Sequence, residues 1–487
     1  MHRRSLASVL VLCVTAACST ATPEQQIVND AAAALGGADR VSAVKTLVLD
    51  GTGTQYNLGQ DLVPGASGQT FTMSAFKRTI DVAGGRARTE LTRTPNFTFF
   101  QGPAAQRQVN GIDGAVGYNV AANGTATRTA DPVAADRRAE LLHHPVTALR
   151  AALDPMAKLS NPRTEGSQSS VDVATADGQS FTLSIDSSTK LPSRVTTRTY
   201  NVNLGDVVIG TTFADYQAVG GLQLPAKLTT ATDDFVTQEV TLAKQDVDAA
   251  AGDLAAPADA AQAAAVAGPP PPMVTAELLS KGIWWLAGGS HHSVLVEFAD
   301  HLTLIEAPLN EARVLAVIAK ARELVPGKPL TQVVNSHHHF DHTGGIRAAM
   351  AEGLTVITHQ GNVAFFEEVG KRAHTIVPDA LGTSGKTPTV EGVDGQRTLT
   401  DGTMTVNLLA VSGAHSQTML VAHFPKEKLL VEVDVYTPGG AVQMYAKPLL
   451  DDVRQRKLPI DRVVPLHGVI APYAQFVKEA SAPVPGA

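Results

Sequence analysis

Residues 336–345 read "SHHHFDHTGG" and follow, after Asn335, the apolar run "LTQVV" at 330–334. Four histidines and an aspartate within six consecutive positions are costly to bury unless something pairs with them. After a strand, a loop of this kind can aim His337 and His339 at one cation and Asp341 and His342 at a second one nearby. A catalytic tetrahedral zinc takes three protein ligands and a water. The cluster therefore offers too much for one ion and too little for two, and the balance must come from elsewhere in the chain.

Three downstream residues fit that need. His415 in "VSGAHSQ", Asp434 in "LVEVDVY" and His467 in "VVPLHGV" each follow an apolar run. One such residue beyond a strand is ordinary, whereas three downstream of an HxHxDH cluster form a pattern. Of the 15 histidines, only His2, His143 and His144 precede residue 274. The two cysteines are Cys13 and Cys18, so the rest of the chain has no disulfide framework and no thiolate for a metal or for nucleophilic catalysis. Nitrogen and oxygen must hold any ion.

With these residues in place, the region 274–480 resembles the metallo-β-lactamase-fold hydrolase superfamily. The resemblance implies an αββα sandwich with the site at one edge between two sheets. It implies His337, His339 and His415 on one zinc, Asp341, His342 and His467 on the other, and Asp434 bridging. Two such ions can share a hydroxide, because coordination lowers the pKa of water towards neutrality. Asp341 is the catalytic candidate that orients the hydroxide or takes its proton. Glu306, in "LIEAP", stands where the family commonly has an outer aspartate.

Zinc β-lactamases commonly hold the second metal with a cysteine or lack the bridging carboxylate. This chain has Asp434 and no cysteine there, and so looks more like the glyoxalase II-type thioesterases, lactonases, sulfatases and phosphodiesterases. The expected activity is dinuclear zinc hydrolysis of an ester, lactone, sulfate ester or related small molecule. Alternatives are a β-lactam hydrolase, an iron-dependent sulfur or oxygen redox enzyme, and a lipid-binding protein with an auxiliary metal domain. Iron or manganese accepts the same donors. Specificity is expected in loops, notably 373–392.

Other polar residues have plainer readings. His338 should alternate outward and not ligate. His291 and His292 either line the pocket or flank a strand. His359 should end a strand near the surface, and Tyr436 and Tyr473 are either substrate contacts or structural.

The rest of the chain divides at 249–273, where alanine and proline dominate and "PPPP" should run stiff and extended. Before it, residues 27–248 alternate apolar with polar positions between Gly, Asn and Asp turns, predicting a curved antiparallel sheet with a helix or two. The helix falls at 131–153, with His143 and His144 at a kink or end beside Pro145 and partly exposed. "TFADYQAVGGLQLPAKLTT" and "LGGADRVSAVKTLVLDG" resemble periplasmic lipoprotein-carrier half-barrels. The fold class is thus α/β, an αββα metallo-hydrolase domain preceded by a β-rich α+β domain.

At the N-terminus a basic start, an apolar run from Leu6 to Val14 and small residues form a secretory signal over 1–18. "VTAAC" resembles a bacterial lipoprotein processing site with Cys18 lipidated, with cleavage after an alanine as the alternative. The expected location is the periplasm or outer membrane, or secretion, with membrane contact only through that lipid. A net charge of −7 without basic blocks argues against nucleic acid as partner.

Overall fold

The computed structural model describes residues 21–66, 68–97, 104–268, 270–440 and 443–483. The signal segment, with Cys13 and Cys18, lies outside them. Among the described residues no helix is long and apolar enough to cross a membrane.

The first domain is one thirteen-stranded sheet. Its first strand, Thr46–Tyr56, pairs antiparallel with both Thr70–Asp81 and the last strand, Phe235–Val247, so the chain ends of the domain meet mid-sheet. Burial alternates along the strands, as when one sheet face is covered and the other wet. Ile112 and Val171 belong to strands nine places apart, roughly 43 Å in a flat sheet. Both nevertheless pack in one core with Val28, Leu35, Val146 and Leu149. The sheet is therefore curled around helices Pro23–Leu35 and Pro145–Leu153.

Helix Pro23–Leu35 opens on a capping box in which Thr22 and Gln25 exchange side-chain and backbone bonds. It starts before residue 27, where the alternating pattern begins. The helix expected over 131–153 is two, Asp131–Glu140 and Pro145–Leu153, because Pro145 cannot continue the first but suits the opening turn of the second. His143 and His144 lie in the break, and they are buried, not partly exposed. The His143 ring nitrogens meet the Thr211 and Thr197 hydroxyls at 2.8 and 2.9 Å. Burial pushes its pKa down to about 4.

The connecting stretch is not wholly extended. Ala258–Ala261 forms one helical turn whose Ala260 packs on Tyr118 and Ala126 of the first sheet.

The second domain has a seven-stranded and a six-stranded mixed sheet. Strands Leu302–Ile305, Met419–Phe424 and Leu429–Glu432 are buried at every position, as strands covered on both faces must be. Three apolar layers account for this. Val294, Val296, Val406, Leu408 and Val431 join the sheets face to face. Val314, Ile318, Ala349 and Phe366 bring helices onto the outer face of the first sheet. Leu449, Leu450, Val453 and Phe476 do the same for the second. This is an αββα sandwich. Helix Glu311–Leu324 is capped by Asn310, as its sequence suggests.

The domains share polar contacts. The Arg372 guanidinium donates to Leu204 O and pairs with Asp233. Thr375 and Ile376, in the loop expected to govern specificity, donate backbone N–H groups to the Asp206 carboxylate at 3.0 Å.

Candidate metal centre

Each residue of the cluster that the sequence points to follows a strand. Strand Leu330–Val334 delivers residues 335–342, Thr405–Val411 leads to His415, Leu429–Glu432 to Asp434, and Arg462–Pro465 to His467. The loops are fixed by their own polar bonds. Asn335 donates to His342 O at 2.9 Å, and Ser336 N donates to Glu306 Oε1 at 2.6 Å.

These bonds decide which nitrogens face inward. Ser336 Oγ lies 2.8 Å from His337 Nδ1, which leaves Nε2 for the centre. Asp61 O accepts from His339 Nε2 at 2.9 Å, which leaves Nδ1 buried with no partner. Glu306 Oε2 lies 3.0 Å from His342 Nδ1, so His342 Nε2 faces Asp434 Oδ2 at 2.9 Å. His415 Nε2 is 3.2 Å from both His337 Nε2 and Asp434 Oδ2. Orientation of metal-binding imidazoles by such outer partners is general.

Donor atoms of His337, His339, His415 and Asp434 converge as one group, and those of His291, Asp341 and His342 as another. Asp434 Oδ2 touches both, through His415 and His342. His467 stands outside either close group, with its ring 4.2 Å from His291 and 6.4 Å from His342. His291 takes the nearer place: its Nε2 is 3.2 Å from Asp341 Oδ2, and its Nδ1 is 2.8 Å from Ser290 Oγ. Pocket lining was one of two readings of His291; its place among the donors was not legible, because a histidine before a strand carries no ligand spacing.

The electrostatics suit cation binding. Burial lowers the pKa of His337 far below the ordinary value and that of His339 to about 3, so both rings are neutral and can coordinate. Burial opposes charge on Asp434 and Asp341, yet His342 and His415 around the first and His291 and His342 around the second outweigh it, holding both carboxylates ionised. Burial likewise opposes charge on His342, but Asp434 and Glu306 outweigh it and raise its pKa. Asp434 and Glu306 have φ of +61° and +74°, a region that costs an L-residue about 1–3 kcal/mol and clusters at functional sites. Two imidazole nitrogens 3.2 Å apart beside a carboxylate, with a third ring nitrogen unpartnered, form a donor set that fits a divalent cation.

The remaining residues separate cleanly. His338 is buried without a partner for either nitrogen, so it does not alternate out to solvent, and it belongs to neither donor group. His292 packs on Trp285, and His359 Nδ1 accepts from Gly361 N at the end of its strand. Tyr436 Oη donates to Glu479 at 2.7 Å, and Tyr473 packs against Phe476. Glu306 is wholly buried between Ser336 and His342. Beside His415 opens a cavity of about 280 Å³, lined by Val411, Met419, Val435, Tyr445 and Leu449 together with the charged pair Asp452 and Arg456.

Residues 286–431 match the profile of a family described as the metallo-beta-lactamase superfamily. No curated protein matches. Among solved structures, a metallo-beta-lactamase from Pontibacter korlensis is 18% identical, with a TM-score of 0.35, covering 43% of this chain and 98% of its own. The metallo-beta-lactamase FIM-1 from Pseudomonas aeruginosa, in a mono-zinc form, is 15% identical, with a TM-score of 0.34, covering 43% and 95%. One from Hirschia baltica is 16% identical, with a TM-score of 0.33, covering 42% and 96%.

Proposed function

We propose, from the match of residues 286–431 to the metallo-beta-lactamase superfamily and from the donor cluster, that the chain is a dinuclear zinc hydrolase of esters, lactones or sulfate esters. The observation that carries this reading is the convergence of seven nitrogen and oxygen donors in two groups joined through Asp434, with His339 Nδ1 buried and unpartnered. His337, His339 and His415 would hold one ion and Asp341 and His342 the other, with His291 or His467 completing it. When bound, such ions polarise the scissile oxygen and acidify water.

The chain's own groups do the rest. Asp341, with Oδ1 bonded by Gln60 and Oδ2 by His291, would be the group that accepts a proton in the reaction. The fully buried Glu306 holds His342 in the tautomer that turns Nε2 to the centre. The apolar walls beside His415 would seat a hydrocarbon part of the substrate. The signal-like N-terminus supports export from a bacterium, with Cys18 as the lipid attachment point.

The test is a screen of aliphatic lactones, aryl esters, sulfate esters and β-lactams with zinc-loaded protein, beside Asp341→Asn. Zinc-dependent turnover of one ester-type class, lost in the variant, is expected. Turnover of β-lactams alone would replace the substrate reading, and no zinc-dependent turnover of any class would reject it.

A further inference from the structure

Residues 57–66 lie in the connection between the first two strands of the N-terminal sheet, yet they pack against the cluster of the other domain. Asp61 O accepts from His339 Nε2 at 2.9 Å, and Gln60 Nε2 donates to Asp341 Oδ1 at 3.0 Å. Between these two, Gly59 O accepts from Phe340 N at 3.1 Å. Beyond them, Leu62 O accepts from Gln417 N at 2.8 Å, two residues after His415. Four consecutive residues of one domain thus bond to both arms of the cluster in the other.

The approach is close enough to dictate a residue. Gly59 has φ +80°, and a Cβ there would stand 2.3 Å from the Phe340 ring. Only glycine lets the backbone lie flat on that ring. The segment is itself braced, since Asn57 N donates to Gln69 O at 2.9 Å and Gln60 N to Asn57 O at 3.1 Å.

We infer that this N-terminal segment is part of the metal centre, the Asp61 carbonyl positioning His339 for one ion and Gln60 positioning Asp341 for the other. The inference rests on the reading of the cluster as a metal site. The first domain is then no auxiliary module, because without it His339 loses the acceptor that fixes its tautomer and Asp341 loses one of its two supports. Gln60 and the Asp61 carbonyl are positioning groups and need not touch substrate.

The two groups serve different ions, which gives the test its selectivity. Full-length wild type, Gln60→Ala and Gly59→Val are titrated with zinc alone against a chromophoric chelator. Each is also loaded with cobalt to record its visible absorption, and its melting is followed by circular dichroism. Losing an outer partner of a ligand typically costs 10–100-fold in metal affinity. Gln60→Ala should weaken one zinc equivalent about tenfold and leave the other unchanged. Gly59→Val, which displaces Asp61 as well, should weaken both and alter the cobalt bands. A merely structural segment would lower the melting temperature and leave both affinities within twofold of wild type, and that result overturns the inference. If Gly59→Val does not fold, the single-equivalent loss in Gln60→Ala decides. Wild type that binds no zinc would refute the metal reading itself, and the inference with it.

Discussion

Replacing Glu306 by glutamine changes one atom in a buried site and tests the logic of the centre. Glu306 is fully buried; its Oε1 accepts from Ser336 N at 2.6 Å and its Oε2 lies 3.0 Å from His342 Nδ1. The glutamine carbonyl can still serve Ser336. Its amide must then donate to His342 Nδ1, which drives the imidazole proton onto Nε2, the atom 2.9 Å from Asp434 Oδ2 that faces the centre. A protonated nitrogen cannot coordinate. A cation on Nε2 would require the proton on Nδ1, facing the amide, so the variant loses a hydrogen bond to a charged group, worth about 1.5–3 kcal/mol, which is about 10–150-fold in affinity at 1.4 kcal/mol per tenfold. The loss should fall on the equivalent held by His342. Zinc titration against a chromophoric chelator measures it, with circular dichroism showing that Glu306→Gln is folded. Both equivalents within twofold of wild type would refute the argument that Glu306 sets the tautomer.

Three further outcomes follow from the same geometry. His291→Ala and His467→Ala compare the two candidates for the second ion: the nearer His291 should cost more zinc in the second equivalent, as elemental analysis after dialysis would show, and the reverse order would return His467 to that place. His143, whose folded pKa of about 4 lies below the ordinary 6.5, stays neutral while the unfolded chain takes up a proton. Stability should therefore be full above pH 6.5 and fall between pH 6.5 and 4, by roughly 2 kcal/mol at pH 5; urea midpoints of wild type and His143→Asn at pH 7.5 and 5 measure it, and equal slopes would contradict the account. Arg372→Ala removes the ties to Leu204 and Asp233, so limited proteolysis between 249 and 273 should quicken, whereas unchanged cleavage would show that these ties do not hold the domains together.

How much of this was legible in the sequence depends on how local its cause is. The strands and helices of 283–334 and 405–465 follow apolar periodicity, and the asparagine that opens Glu311–Leu324 is a cap that reads directly. The α/β sandwich follows from that alternation together with the resemblance carried by HxHxDH, and the family match over 286–431 agrees with it. His337, His339, His342, His415 and Asp434 are drawn together because each ends a strand of the same sandwich edge. His291 escaped because its role depends on a ring contact across two strands, and no spacing encodes that. Residues 57–66 escaped for a stronger reason: "NLGQDLVPGA" reads as a hairpin loop, and its partners lie some 280 positions away in another domain. The burial of His143 was missed because adjacent histidines beside a proline look like a frayed helix end. The partners of His143 are threonines on distant strands.

The central claim is that the cluster holds metal, and the direct measurement is elemental analysis of the purified full chain beside Asp434→Ala. About two zinc ions per chain are expected in wild type, with a clear loss in the variant, because Asp434 Oδ2 touches donors of both groups. Wild type that retains no metal after loading with zinc, iron or manganese would contradict it.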